Sequence, residues 1–300
     1  MNRSGRLHGV AAAVLAMWPA AGWSAGPCVS VPLVPVDDAF VRAAMPTTNY
    51  GSAGALSVAG PDAVNTFNVP QGQYETVMKV DAGQALAALD AAMGAGNWTL
   101  TGVELVLTEE SVANNTIFNR GLGDFEVFWL SDDSWVEGPG TPLFPVTGTG
   151  NQMTWDLLQT SLASATRTSL GTFSNLLADT TTTYPLPLAP ALAADILAGG
   201  MVSLHLAPVT PTIGFNFKGS DFLVPASHPR LVISAETTRG DVNCDTLVDL
   251  MDADALVLGL LDPAAFAAAY PGCPISNVDV NADGATDAGD ISMLLCAILP

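Results

Sequence analysis

Asp241, Asn243, Asp245, Asp249 and Asp252 stand at positions 1, 3, 5, 9 and 12 of a twelve-residue stretch. Asp279, Asn281, Asp283, Asp287 and Asp290 repeat those positions thirty-eight residues later. Each of these side chains presents oxygen, and a hard divalent cation such as calcium takes six to eight oxygens at this spacing. The backbone carbonyls of Leu247 and Ala285, at position 7, complete the two sets, so the expected cargo is two Ca2+ ions. Asp249 and Asp287 are expected to act directly or through water. Four carboxylates crowd each stretch and repel one another without a cation, so local folding is expected to be coupled to metal. Position 6 is Gly284 in the second copy and Thr246 in the first. Glycine enters a left-handed turn freely, whereas a β-branched residue resists it. The first loop is therefore expected to bind more weakly or in a distorted geometry. Solvated Asp/Asn turns would explain one such stretch, but not two in register.

A helix is predicted after each loop. Ala253, Leu256, Val257, Leu260 and Leu261 fall at helical spacing, and Ile291, Leu294, Leu295, Ile298 and Leu299 occupy the matching places. Two equal apolar stripes are expected to pack as a pseudo-symmetric pair. Asp262–Pro274 reads as a connector with a helical turn at Pro263–Ala269. Residues 240–300 contain ten Asp and no Lys, Arg or Glu, and the polar joint Ala235–Gly240 precedes them. A small all-α domain over 237–300 is the expectation.

The loops follow the spacing of an EF-hand, except that position 12 is Asp rather than the longer Glu. Gly240-Asp241-Val242-Asn243-Cys244-Asp245 with Asp249 and Asp252, followed by Asp279-Val280-Asn281-Ala282-Asp283-Gly284 with Asp290-Ile291, resembles a type I dockerin over residues 240–300. The resemblance implies two calcium ions, a three-helix fold and docking onto a cohesin-like protein. It places the partner contacts at loop positions 10 and 11, here Leu250, Met251, Ala288 and Gly289, where cellulosomal members carry a Ser-Thr type pair. The long connector with Pro271-Gly272-Cys273 is similar to the dockerin-like tails of secreted planctomycete-type proteins, which implies a bacterial extracellular setting.

The whole chain of 300 residues carries 9 basic and 29 acidic side chains, a formal net charge of −20. Such a surface repels nucleic acid phosphates and anionic lipid. Residues 1–25 read as a secretory signal, with Arg3 and Arg6 before the short apolar run Val10–Met17 and small residues toward Ala25. No stretch reaches the roughly 20 apolar residues of a membrane span. Export makes Cys28, Cys244, Cys273 and Cys296 candidates for disulfides. Pairing Cys244 with Cys273 would close a loop within one small domain, leaving Cys28 and Cys296 to pair or stay free.

Residues 26–236 read as mainly β. The best strands are Phe40–Arg42, Leu56–Val58, Glu75–Val80, Thr101–Leu107, Phe125–Trp129, Val202–Leu206 and Leu231–Ile233. Helical stretches are expected near Gly83–Ala92 and Ala189–Leu197. Short strands without a βαβ rhythm point to a jelly-roll β-sandwich. Val36–Arg42, Pro46–Gly51, Leu56–Val58, Gly72–Asp81, Thr101–Leu107 and His228–Ile233 resemble a DNRLRE-type domain. That resemblance implies a jelly roll found in secreted, polysaccharide-associated proteins. The name-giving Arg-Leu-Arg-Glu-like segment is not intact here.

A glycosidase needs two opposed carboxyls about 5–10 Å apart. Adjacent Asp132 and Asp133 fit a turn or helix cap better. His205 and His228 are expected at the surface rather than as zinc ligands. Among the aromatic residues, Trp129 is expected in the core, while Trp135 and Trp155, near Gly/Pro/Thr-rich loops, are the candidates for stacking on sugar rings. The expectation is a secreted, non-catalytic protein whose sandwich binds or organises extracellular polysaccharide and whose tail docks in a calcium-dependent way. A glycoside hydrolase or lyase carrying a dockerin, and a structural surface or matrix protein, are the alternatives.

Overall fold

A computed structural model of the chain describes residues 29–65, 67–110, 121–175 and 180–299. The expected signal (1–25) and Cys28 lie outside these residues. In chain order the strands are β1 (Val29–Leu33), β2 (Asp37–Arg42), β3 (Thr48–Asn49), β4 (Ala55–Ala59), β5 (Tyr74–Asp81), β6 (Trp98–Thr108), β7 (Asp124–Leu130), β8 (Val146–Thr147), β9 (Arg167–Ser174), β10 (Thr181–Leu186), β11 (Met201–Pro208), β12 (Gly214–Lys218) and β13 (Arg230–Thr237). The helices are α1 (Ala82–Met93), α2 (Trp155–Ser164), α3 (Pro190–Ala198), α4 (Leu250–Leu261), α5 (Pro263–Ala269) and α6 (Ala288–Ile298).

One sheet has the order β1-β13-β6-β10; the second runs β12-β4-β5-β11-β7-β9, with β2 also paired to β5. All these strand pairs are antiparallel. Alternation along the strands builds a shared core. Val103, Leu105 and Leu107 of β6 face Val202, Leu204 and Leu206 of β11 across it, with Phe125, Phe215 and Tyr184 between. Two antiparallel sheets on one apolar core are compatible with a β-sandwich. Helices α1 and α3 close over this core through Leu89, Met93, Leu192 and Ile196. Asp81 starts α1 by accepting the Gly83 amide at 3.0 Å.

The other face of the second sheet is covered too. Ala39, Val41, Val77 and Leu130 meet Trp135, Met153 and Leu158 from the segment that leads into and through α2. Strand β5 is therefore buried at seven successive residues, Tyr74–Val80, which hides the alternation a half-exposed strand would show. The seven expected strands and the two expected helices are present. Helix α2 and strands β1, β3, β8, β9, β10 and β12 were not among the sequence expectations. The polar joint is part strand, because β13 continues to Thr237.

Helices α4, α5 and α6 surround a small core of Val242, Ala255, Leu256, Phe266, Val278, Val280 and Leu294. The expected stripes are corrected by this packing. Leu256 and Leu294 are buried, but Val257, Leu261, Ile291, Leu295 and Leu299 are exposed. The inward face of α4 is set by Asp252, Ala255, Leu256 and Gly259 instead. A Cβ on Gly259 would lie 2.5 Å from Val278 Cγ2, so a missing side chain lets the two segments close. Among the described residues no helix is long and apolar enough to cross a membrane.

Candidate metal loops

Each twelve-residue loop ends by starting a helix. Asp249 caps α4, accepting the Met251 amide at 2.7 Å, while Asp252 Oδ2 accepts the Asp249 amide at 2.8 Å. Asp287 and Asp290 build the same capping box on α6, at 2.7 and 2.9 Å. The position-12 carboxylates are fully buried and reach back across the loops. Asp252 Oδ1 accepts the amides of Val242 and Asn243, and Asp290 Oδ1 that of Asn281.

Within the loops the hydrogen bonds correspond position by position. Asn243 Oδ1 takes the Asp245 amide and Asn281 Oδ1 the Asp283 amide. Asp245 Oδ1 takes the Leu247 amide and Asp283 Oδ1 the Ala285 amide. Asp241 Oδ2 takes the Thr246 amide and Asp279 Oδ2 the Gly284 amide, at 3.0 and 3.1 Å. Residues 4 and 6 are left-handed in both copies: Cys244 φ 60°, Thr246 φ 76°, Ala282 φ 58° and Gly284 φ 85°. The backbone distortion expected at Thr246 is thus absent. Threonine adopts the glycine conformation and bears the strain.

Among the described residues, no three His, Cys, Asp or Glu side chains gather in metal-ligating geometry. Most of the loop oxygens turn toward backbone N–H groups, and Asp245 Oδ2 and Asp283 Oδ2 accept from the side-chain amides of Asn243 and Asn281. Asp279 Oδ1 is buried without a hydrogen-bond partner, whereas its counterpart Asp241 Oδ1 accepts the Asp245 amide at 3.0 Å. A buried carboxylate oxygen left unpaired is costly unless a cation takes it. The donor set of carboxylates, amide oxygens and carbonyls suits a hard cation, so these residues fit calcium.

Position 4 is tied differently in each loop. Cys244 is disulfide-bonded to Cys273 across 29 residues, which stabilises by roughly 3–4 kcal/mol on chain-entropy grounds. Cys296 is disulfide-bonded as well. Ala282 instead rests on the α1–β6 turn: a Cβ on Gly94, whose φ is 79°, would lie 2.7 Å from the Ala282 Cβ. At positions 10 and 11, Leu250 and Met251 are 68% and 61% exposed. Ala288 is exposed and Gly289 half-buried.

The sugar-stacking expectation is corrected. Trp135 is fully buried in the second cluster; its indole N–H donates to Ser203 Oγ at 3.1 Å and the Lys79 ammonium lies 4.7 Å from its ring centre. Trp155 is the first residue of α2 and packs half-buried against the same cluster. Trp129 is in the core as expected. His205 is buried rather than at the surface, with Nε2 2.7 Å from Glu75 Oε2. His228 is half-buried, and its Nε2 donates to the Phe222 carbonyl. Asp132 forms the expected turn: it accepts from the Ser134 amide and hydroxyl and from the Ser161 hydroxyl. The two hydroxyls hold its carboxyl below the usual range. Burial pushes neighbouring Asp133 up.

Two features carry no local sequence signal. One is a cleft of about 500 Å³, lined by Glu110, Leu143, Asn216, Asp221, Phe222 and Leu223 among others. The other is an acidic group beside it. Asp38 is buried and pushed up to about 6 by desolvation, against a hydrogen bond from the Ser220 amide at 2.7 Å. Glu137 is pushed up to about 7 by desolvation and by the charges of Asp38, Asp221 and Asp37, while its Oε2 accepts the Asp38 amide. These residues are distant in sequence and meet only through the sheet. No protein-family model matches the chain, and no curated protein matches it.

Proposed function

We propose that the protein is a secreted, non-catalytic two-part molecule. A dockerin-like tail binds two calcium ions and docks onto a cohesin-like partner, and a jelly-roll sandwich of DNRLRE type binds extracellular polysaccharide. The observation that carries the metal reading is the paired loop geometry with Asp279 Oδ1 buried and unpartnered. Asp241, Asn243, Asp245, Asp249, Asp252 and the Leu247 carbonyl would hold one ion; Asp279, Asn281, Asp283, Asp287, Asp290 and the Ala285 carbonyl would hold the other. The ion supplies charge neutralisation, and the chain supplies preset left-handed turns and buried position-12 carboxylates.

Docking is supported by the exposure of the adjacent large apolar side chains Leu250 and Met251, and of Ala288 at the matching place of the second loop, since clustered exposed apolar surface marks an interaction site. For the sugar, the cleft beside Phe222 replaces the two tryptophans. It offers an aromatic ring with Asn216, Glu110 and Asp221 around it, the mixture of apolar wall and few polar groups that small-ligand sites use. A glycan array on the full chain tests this half. Retention of any polysaccharide by the native protein and its loss in Phe222→Ala support it; equal retention by both contradicts it.

A further inference from the structure

Two side chains cross between the loops. Arg239 stands two residues before loop one, and its Nη1 donates to the carbonyl of Asp279, the first residue of loop two, at 2.8 Å. Asn277 stands two residues before loop two, and its Nδ2 donates to the carbonyl of Asp241, the first residue of loop one, at 3.1 Å. The two residues occupy equivalent places thirty-eight positions apart. Each loop is therefore held at its leading residue by the approach to the other.

The crossing is rooted in the sandwich. The Arg239 amide donates to Thr237 Oγ1, that hydroxyl donates to the Asn97 carbonyl, and the Thr238 amide donates to the same carbonyl at 2.7 Å. Asn97 follows Gly94, the residue against which Ala282 of loop two rests. Arg239 is also the only Lys or Arg in residues 237–300, and it is aimed at a neutral carbonyl rather than at a carboxylate.

We infer that this crossed clasp couples the two calcium loops, so that Arg239 is a positioning residue for loop two and Asn277 a positioning residue for loop one. The inference rests on the calcium reading above. Holding the Asp279 carbonyl fixes the backbone that aims the Asp279 carboxylate, and an ion that orders one loop orders the approach that steadies the other. The result is cooperative binding without direct contact between ions.

The effect of charge runs the opposite way and makes the test sharp. Removing a positive group near a cation site would by itself tighten binding at both loops. Loss of positioning weakens one loop only. Calcium titration of the full chain by calorimetry, in single-loop backgrounds, separates the two. In Asp241→Ala, which leaves loop two, adding Arg239→Ala is expected to weaken calcium roughly fivefold or more, the scale of one lost hydrogen bond. In Asp279→Ala, which leaves loop one, the same change is expected not to weaken it. Asn277→Ala is expected to give the reverse pattern. Amide exchange on the metal-free chain adds a readout that needs no ion: Arg239→Ala should speed exchange at Asp283 and Gly284 and spare Asp245 and Thr246. Weakening of loop one by Arg239→Ala, tightening of both loops, or no change at either overturns the clasp while leaving the calcium reading intact. A native chain that binds no calcium overturns both.

Discussion

Thr246 and Gly284 share one backbone conformation, φ 76° and φ 85°, at position 6 of loops that differ in sequence at that residue. A non-glycine residue in the left-handed region costs about 1–2 kcal/mol. The Thr246 amide recovers part of this by donating to Asp241 Oδ2 at 3.0 Å, a bond any residue at this position would keep. Thr246→Gly is therefore expected to stabilise the helical lobe by about 0.5–1 kcal/mol, the strain relief less the added flexibility of glycine. Gly284→Thr should lower stability by a similar amount. Calorimetric melting of the calcium-loaded chain measures both, and a Thr246→Gly variant that melts lower would contradict the strain argument.

Glu137 is pushed up from its ordinary 4.5 to about 7, and Asp38 from 3.8 to about 6, both chiefly by desolvation. Both folded values are raised, so the folded state favours the protonated carboxyls. Their contribution to stability is fully present below pH about 4 and is lost as pH rises through 6 and 7. Glu137→Gln keeps an oxygen to accept the Asp38 amide and removes the charge. It is expected to melt higher than the native protein at pH 7.5 and to match it at pH 4.5. Equal melting at both pH values would show that Glu137 does not titrate in this window.

Trp135 and Phe222 should separate stability from binding. Trp135→Ala empties a fully buried site over the second sheet and removes the ring beside the Lys79 ammonium, which keeps its ion pair with Asp37. A loss of about 3–5 kcal/mol is expected. Phe222 is half-exposed at the cleft, with Lys218 Nζ 4.4 Å from its ring centre. Phe222→Ala is expected to cost about 1 kcal/mol or less while abolishing polysaccharide retention. Denaturant unfolding followed by affinity electrophoresis reads the two effects. A Trp135→Ala protein of native stability would mean that the tryptophan is not a core residue.

The strands that could be read from the sequence were those with alternating or continuous Val, Leu and Phe, such as Val202–Leu206 and Glu75–Val80. Strands β9 and β10 were hidden because Arg167–Ser174 and Thr181–Leu186 are rich in Thr and Ser and pair at the margins of their sheets. Trp135 was misplaced for a related reason. A Gly/Pro/Thr-rich loop suggests exposure, but here the loop crosses the outer face of the second sheet and helix α2 seals it. The repeat of the two loops was legible because it is local: within each twelve-residue stretch the same Asp and Asn side chains accept the loop amides and build the capping box. The acidic group of Asp37, Asp38, Glu137 and Asp221 was not, since only β-sheet pairing brings those segments together. The helical stripes were half right. Leu256 and Leu294 turned inward, but a lobe with only seven buried apolar residues at its centre cannot enclose every leucine on its helices.

Isothermal titration of the chelator-stripped full chain with calcium counts the ions that the two oxygen-rich loops hold. A stoichiometry of two ions per chain, falling to one in Asp279→Ala, is the predicted result; no heat of binding up to millimolar calcium would contradict it.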